Sequence, residues 1–364
     1  MSFVEIGTRF ARLAHVDPSH TWEEERQSLL GRRISELGLS IRGSRVERII
    51  RELEAELAAK GLAFTPVVYL SDQWGCPDET PLIGVPFYLV DARLERIEEE
   101  MSGAVEDDAE AMRYLRHECG HAINYAFALY ESPEWRKTFG SFSKPYRDRY
   151  GADPFSREYV RHILGWYAQK HPDEDFAETF AVWLTPDIDW RRDYAGWPAL
   201  TKLEYVDRVM SELAGKSVPA LEPGPDDLPV TAMTYTVAEH YEGERESLPL
   251  EDPRQFDIDL HRIFLSSGDA PAAESARSFL LRHDRECIAR ISYWTAENPS
   301  IVRSLLDQLA ARAEALDLRV GRLEAATLIE LTAFVTAVVM GYRYARVLRP
   351  ARKNGSGGGS EAAA

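Results

Sequence analysis

The chain has few cysteines, a shortage of positive charge and no long apolar run. Its three cysteines, Cys76, Cys119 and Cys287, are too few and too odd in number for a disulfide framework, which favours a reducing compartment such as the cytoplasm. Lysine and arginine number 43 against 60 aspartates and glutamates, so the formal net charge is −17. We therefore expect neither nucleic acid nor an anionic membrane to be its main partner.

The sequence also predicts neither a secretory signal nor a membrane span. Residues 1–5 contain no basic region followed by an apolar run, so we expect no secretory signal there. The longest apolar stretch, 325–340, is short for a membrane span and contains Glu330, which favours a buried core helix. A chain of 364 residues is nevertheless long enough for two globular domains, each with its own core.

Histidine is scarce too, yet two of the nine histidines stand in one short motif. The segment Arg116-His117-Glu118-Cys119-Gly120-His121 reads H-E-x-x-H. Residues four apart on a helix share a face, so both imidazoles can reach one ion, and zinc favours neutral imidazole nitrogen. Glu118 then lies near the metal without binding it and can take a proton from a zinc-bound water.

The flanks of this motif predict a helix that buries one side. Between Asp108 and Glu131 there is no proline, and Gly120 is the one glycine. Apolar residues recur at helical spacing, and the two histidines fall on the opposite face. The alternative is a surface helix that carries two histidines by chance, and a third ligand would argue against it.

A catalytic zinc site needs a third protein ligand and one position left for water. The segment from His171 to Leu184 predicts a helix, because Pro172 suits a first turn and acidic residues suit a helix N-terminus. Glu174 and Glu178 share one face of this helix. One can bind zinc while the other orients a histidine, and the spacing leaves the choice open. The alternative for both is a solvated face.

The combination of H-E-C-G-H with E-D-F-A-E-T-F-A resembles the gluzincin-type zinc-binding metallopeptidases of bacteria, over roughly residues 60–210. The E-x-F-A-E core is similar, more remotely, to the catalytic domain of anthrax lethal factor. The resemblance implies that Glu174 binds zinc and that Glu178 supports a histidine. It also implies that Tyr167 donates a hydrogen bond to the tetrahedral oxyanion, although simple packing is the alternative. One departure is Asp175, where the lethal factor pattern has an aromatic residue.

The remaining patterns predict an α+β fold. Helices are predicted at 21–37, where Thr21 begins a capping box, and at 44–60. Two strands are predicted at 64–70 and 82–90. A proline within the second strand marks it as a sheet edge, to which an extended substrate could add. A plain sheet edge is the alternative.

The chain divides at a stretch rich in proline and acidic residues. We expect a zincin-like metallopeptidase domain with a small β-sheet at 1–215, in which 159–168 forms a short helix. A linker at 216–230 would lead to a mainly α-helical bundle at 231–350. The glycine- and serine-rich end, 351–364, predicts a flexible tail.

The sequence therefore predicts a zinc-dependent metallopeptidase with Zn²⁺, held by His117, His121 and Glu174, as its only cofactor. Glu118 is expected to act as general base and then general acid, and Tyr167 to stabilise the oxyanion. The expected partners are a peptide or protein substrate and an unidentified partner of the C-terminal bundle. Two alternatives stay open: a non-catalytic, zinc-stabilised interaction module and a metal-dependent amidase acting on a non-peptide bond. Glu118 argues against the first, because a structural site does not need it.

Overall fold

The computed structural model describes residues 21–146, 150–216, 228–244, 252–321 and 323–348. Over these residues the protein is mostly helical with two small sheets, which is compatible with the predicted α+β class. The predicted tail and most of the predicted linker lie outside the described residues. The helices before the linker are α1 (Trp22–Leu30), α2 (Arg45–Ala59), α3 (Ala92–Ser102), α4 (Asp108–Ala126), α5 (Pro133–Phe139), α6 (Pro172–Leu184), α7 (Trp190–Asp193) and α8 (Ala199–Leu213).

The first two helices begin where their caps predict. The Thr21 hydroxyl accepts from the backbone N–H of Glu24 at 3.4 Å, and the Glu24 carboxylate accepts from the backbone N–H of Thr21 at 2.9 Å. This reciprocal pair is the predicted capping box. The Ser44 hydroxyl caps α2 by accepting from the backbone N–H of Glu47 at 3.4 Å, and Gly61, at a φ of 78°, follows the end of this helix.

Helix α1 is shorter than predicted. It ends at Leu30, and a short 3₁₀ turn, Ile34–Glu36, follows where the helix was expected to run on to residue 37. The backbone N–H of Ile34 donates to the carbonyl of Tyr235 at 3.1 Å. This long-range hydrogen bond holds the chain outside the helix, and local periodicity could not predict it.

The first sheet consists of two parallel strands, β1 (Val67–Ser71) and β2 (Leu82–Pro86). The backbone N–H and C=O of Gly84 face away from β1 and pair with Gly75, with N···O distances of 2.7 and 3.3 Å. The edge predicted to receive an extended substrate is therefore already occupied at Gly84 by the loop before it. The rest of the predicted strand, 87–90, is a 3₁₀ turn.

Helices α4 and α6 form the centre of the first core. A Cβ atom at Gly120 would lie 2.8 Å from the Cα atom of Ala177, so the glycine permits this close crossing. Helix α2 packs on α4 and α8 packs on α6. The same hydrophobic cluster extends past the predicted linker to Met233, Val237 and Tyr241.

A second hydrophobic cluster lies entirely C-terminal to the first and begins at Leu260. Its helices are joined by a short antiparallel pair in which Leu265 lies opposite Arg319. The predicted domain boundaries stay a prediction. The elements after the linker are α9 (Val237–Glu244), α10 (Asp257–Ile263), β3 (Leu265–Ser266), α11 (Ala276–Thr295), α12 (Pro299–Ala315), β4 (Leu318–Arg319) and α13 (Glu324–Leu348).

The last helix is buried along one face only. Its segment Glu324–Ala345 is long and apolar enough to cross a membrane by length and composition; over an 18-residue stretch of it the mean hydropathy is 1.6 and 22% of the residues are buried. Leu331, Val335 and Val339 recur every fourth residue and pack into the second core. Ile329, on another face, is 69% exposed. The helix that was predicted to be buried is therefore amphipathic: one face packs into the second core and another is exposed.

The second core contacts the first beside Gly165. A Cβ atom at Gly165 would lie 2.4 Å from the Cβ atom of Ala296, which follows α11. Arg343 of α13 stabilises this contact, because its guanidinium donates to the backbone carbonyls of Thr295 and Ala296. Helices of the C-terminal core thus support the chain two residues before Tyr167.

Candidate metal centre

Helix α4 carries the H-E-x-x-H motif into the first core. Asp107 and Glu110 close a capping box at its start, with N···O distances of 2.8 and 3.2 Å. From there the helix continues unbroken for 19 residues. His117 and His121 are 2% and 7% exposed, and their rings meet edge to face with centroids 4.8 Å apart. The motif therefore lies in the protein interior, against α6.

Three ligand atoms converge between the two helices. The Nε2 atoms of His117 and His121 lie 3.1 Å apart, and Glu174 Oε2 lies 3.0 Å from the first and 3.2 Å from the second. A tetrahedral zinc ion with bonds near 2.0–2.1 Å places neighbouring ligand atoms roughly 3.3 Å apart. The three atoms thus outline a triangle close in size to one face of such a tetrahedron, and this buried group could hold a metal ion.

Glu178, one turn beyond Glu174, is used differently. Its Oε1 atom lies 2.9 Å from His117 Nδ1. Its Oε2 atom accepts from the backbone N–H groups of His162 and Ile163 at 3.2 and 2.9 Å. Glu178 therefore orients His117 from behind and is itself held by the loop before Tyr167.

The protonation states of the histidines and carboxylates suit a site that binds a cation. Since carboxylates accept hydrogen bonds, Glu178 favours a proton on His117 Nδ1, so Nε2 is the nitrogen available to a metal. Burial lowers the pKa of His117, but the hydrogen bonds to Glu174 and Glu178 outweigh it and raise the pKa to about 9. Burial raises the pKa of Glu174, but the two histidines bring it down to about 2. The carboxylates therefore favour positive charge at the histidines, and a bound zinc ion would supply that charge between the three ligand atoms.

Glu118 lies beside the first ligand and is itself buried, with 7% exposure. Burial raises the pKa of its carboxyl group above the usual range, and the charges of His117 and His121 oppose that rise. The negative charge of Glu118 in turn adds to the burial that raises the pKa of the Tyr167 phenol. Glu118 and Tyr167 are therefore within electrostatic range of each other, and the phenol keeps its proton.

Tyr167 reaches the metal centre from a turn rather than from the predicted short helix. That prediction was wrong: the structure has no helix at 159–168 before a 3₁₀ turn that starts at Tyr167. Gly165, at a φ of 79°, and Trp166, at a φ of 57°, are both left-handed and reverse the chain. A left-handed tryptophan is strained, and such strain gathers at functional sites. The Tyr167 ring meets that of His117 edge to face at 5.5 Å.

The residues of the metal centre lie in one segment of the chain, and that segment matches a known family. Residues 91–189 match the model of the family described as "Putative zinc-binding metallo-peptidase". The match confirms the family resemblance predicted from the motifs, over the part that holds the metal centre. The remote similarity to anthrax lethal factor stays a prediction. No curated protein and no solved structure matches the chain.

Within the segment that matches this family, residues 91–189, Asp175 faces away from the metal centre. Its Oδ2 atom lies 2.6 Å from Lys202 Nζ on α8, and the same ammonium donates to the carbonyl of Glu158 at 2.6 Å. Burial raises the pKa of Asp175 to about 7, against the charge of Lys202. Asp175, which departs from the lethal factor pattern, therefore forms a buried ion pair between two helices. It does not displace Glu174 or Glu178 from their contacts with the histidines.

The sequence analysis missed Asp173. This carboxylate is 4% exposed and accepts from Asn124 Nδ2 at 2.7 Å and from the Tyr125 hydroxyl at 2.6 Å. Its Oδ2 atom also lies 2.8 Å from His121 Nδ1, but the N–H is not aligned for a hydrogen bond, so this contact is electrostatic. The sequence did offer one signal for it, an aspartate directly before Glu174. Its position in the first turn of α6 was attributed to the helix dipole alone.

Proposed function

We propose that the protein is a zinc-dependent peptidase that hydrolyses peptide bonds in a peptide or protein substrate. The observation that carries the proposal is the buried triangle of His117 Nε2, His121 Nε2 and Glu174 Oε2. It lies in the segment that matches a zinc-binding metallo-peptidase family, and Glu118 follows His117 directly. A purely structural zinc site usually has four protein ligands, whereas three leave a position for water.

The positions of the side chains support the following roles. His117, His121 and Glu174 would hold the zinc ion, which, when bound, polarises the substrate carbonyl and makes water more acidic. Glu118 accepts the proton of the attacking water and delivers it to the leaving amine. Tyr167 keeps its proton and donates its O–H to the substrate oxygen as negative charge develops there.

The test separates metal binding from chemistry. Full-length protein loaded with zinc is incubated with a library of peptides from a digested proteome, and cleavage is followed by mass spectrometry. We expect about one zinc per chain and cleavage of some peptides. Glu118→Gln should keep its zinc and lower kcat by about 10²–10⁴-fold, because only the proton acceptor is removed.

A matched control is Glu131→Gln, which makes the same change at an exposed position shortly after α4. It should retain full activity. Equal turnover by Glu118→Gln would contradict the proposed mechanism. Native protein that binds zinc and cleaves none of the peptides would contradict the proposed activity and favour an interaction module.

A further inference from the structure

Beside Tyr167 lies a positively charged side chain to which neither the sequence motifs nor the family match assigns a role. The ammonium of Lys170 donates to the Tyr167 hydroxyl, with an Nζ···O distance of 3.2 Å. The same ammonium lies 4.9 Å from the centre of the Tyr167 ring and 4.5 Å from that of Tyr146. Lys170 thus contacts both aromatic rings and donates to the phenol oxygen.

Local structure fixes this geometry. Tyr167 begins a 3₁₀ turn, and the backbone N–H of Lys170 donates to the carbonyl of Tyr167 at 2.9 Å. Side chains three residues apart in a 3₁₀ turn lie one above the other, which brings the ammonium onto the hydroxyl. The next residue, His171, caps α6 by accepting from the backbone N–H of Asp173 at 3.2 Å. The turn therefore runs directly into the helix that carries Glu174.

We propose that Lys170 is a positioning residue for Tyr167: its ammonium holds the phenol oxygen and directs the phenol hydrogen toward the substrate oxyanion. The inference deepens the proposed function and rests on it. Because the phenol oxygen accepts from Lys170, the hydrogen of the hydroxyl is left to be donated elsewhere. The edge-to-face contact with His117 places the Tyr167 ring beside the metal centre.

The physical effect has two parts. A hydrogen bond from an ammonium polarises the phenol, so its own O–H becomes a stronger donor. The positive charge also lies near the atom where negative charge develops, in a partly buried site where such charges act strongly. Both parts grow as the reaction proceeds, so removing Lys170 should lower kcat more than it changes KM.

A double-mutant cycle with Tyr167→Phe tests whether Lys170 acts through the phenol. Lys170→Met keeps the length of the side chain and removes its charge. We expect it to lower kcat by about tenfold, the scale of one charge-assisted hydrogen bond, with KM and zinc content nearly unchanged. In the Tyr167→Phe background the same substitution should change kcat by less than about twofold. Lys170→Arg keeps the charge and should retain most of the activity.

The control is Lys137→Met, which removes an exposed lysine of α5 and should leave kcat unchanged. Binding of a phosphinic tripeptide, which presents tetrahedral oxygens, gives a readout without turnover. Its affinity, measured by calorimetry, should fall about tenfold in Lys170→Met and not further in the double variant. If Lys170→Met lowered the affinity equally in the native and Tyr167→Phe backgrounds, or did not lower it, the role of Lys170 would be overturned. The proposed function would be unaffected, because it is tested separately by Glu118→Gln. Native protein that neither cleaves peptides nor binds the phosphinic tripeptide would overturn both.

Discussion

At the scale of single residues, Glu174 and Glu178 show how position decides chemistry. They are identical side chains on one face of α6, and the spacing allowed either to bind zinc. Glu178 Oε2 already accepts two backbone N–H groups from residues 162 and 163, so this carboxylate is held against His117 Nδ1. Glu174 Oε2 faces both Nε2 atoms. The backbone of a distant loop thus gives the two carboxylates different contacts.

Asp173 should tune zinc affinity through His121. Asp173→Asn keeps the shape of the side chain but removes the negative charge 2.8 Å from His121 Nδ1. That charge favours the tautomer with Nε2 free, so its loss should weaken zinc binding by about 10–100-fold, as measured by competition with a chromophoric chelator. Asp187→Asn, the same change at an exposed position with a φ of 62°, should leave the affinity unchanged. An unaltered affinity in Asp173→Asn would assign the residue to packing alone.

At the scale of elements, the site depends on the crossing of α4 and α6. At Gly120 a Cβ atom would lie 3.0 Å from the carbonyl oxygen of Ala177 as well as 2.8 Å from its Cα. Backbone atoms cannot move aside as a flexible side chain can. The glycine in H-E-C-G-H therefore serves the contact that brings Glu174 to the two histidines.

Gly120→Ala should destabilise the protein although alanine favours helices. Helix propensity alone predicts a gain of about 1 kcal/mol. The clash with Ala177 should instead lower the free energy of unfolding by about 1–3 kcal/mol, as overpacking does, and the urea midpoint would report it. Gly341→Ala in α13 is the matched control, since a Cβ atom there meets nothing within 4 Å, and it should be neutral or stabilising. A stabilised Gly120→Ala variant would show that the helices separate at little cost.

The sheet is the element that sequence patterns described least well. The pattern at 82–90 predicted an open edge, whereas Gly84 is paired with Gly75 from the loop between the strands. A substrate strand could pair at Gly84 only after that loop had moved. Loop pairing of this kind depends on how the intervening residues fold back, and alternation of side chains carries no information on it.

At the scale of the whole molecule, the C-terminal core contacts the turn that carries Tyr167. Gly165 lies against Ala296, and Arg343 holds the carbonyls at that corner. The contact gives the C-terminal helices a structural connection to the candidate site. A cytoplasmic location and a partner of these helices stay predictions, since no described feature tests them.

Gly165→Ala should reduce activity through this contact. The substitution places a Cβ atom 2.4 Å from that of Ala296 and in a left-handed conformation that alanine tolerates poorly. We expect kcat to fall by about tenfold while zinc stays bound, because the three ligands lie on α4 and α6. Peptide cleavage and metal analysis on the same samples measure both.

The second variant of this pair is Ala296→Gly, which should be neutral alone because Ala296 is itself left-handed, at a φ of 50°. Combined with Gly165→Ala it removes the clashing methyl group and should restore part of the lost kcat. A double variant no more active than Gly165→Ala would show that backbone strain alone disturbs the turn.

The sequence by itself determined what depends on neighbours along the chain. The capping box at Thr21, the course of α4 and α6, and the shared face of His117 and His121 follow from spacings of three and four residues. The H-E-x-x-H motif also predicted the metal and the place of Glu118. These features are local, because a helix forms its hydrogen bonds and aligns its side chains within one or two turns.

Only the tertiary structure decided what depends on distant segments meeting. It placed Glu174 rather than Glu178 on both Nε2 atoms, set Asp173 beside His121, and paired Gly75 with Gly84. Spacing and residue type did not predict these contacts, because each joins different elements whose approach is set by packing across the core. The resemblance to a family favoured Glu174 as the ligand from shared motifs, and that role stays a prediction. In the structure, two backbone N–H groups sixteen and fifteen residues before Glu178 hold the Glu178 carboxylate against His117 Nδ1.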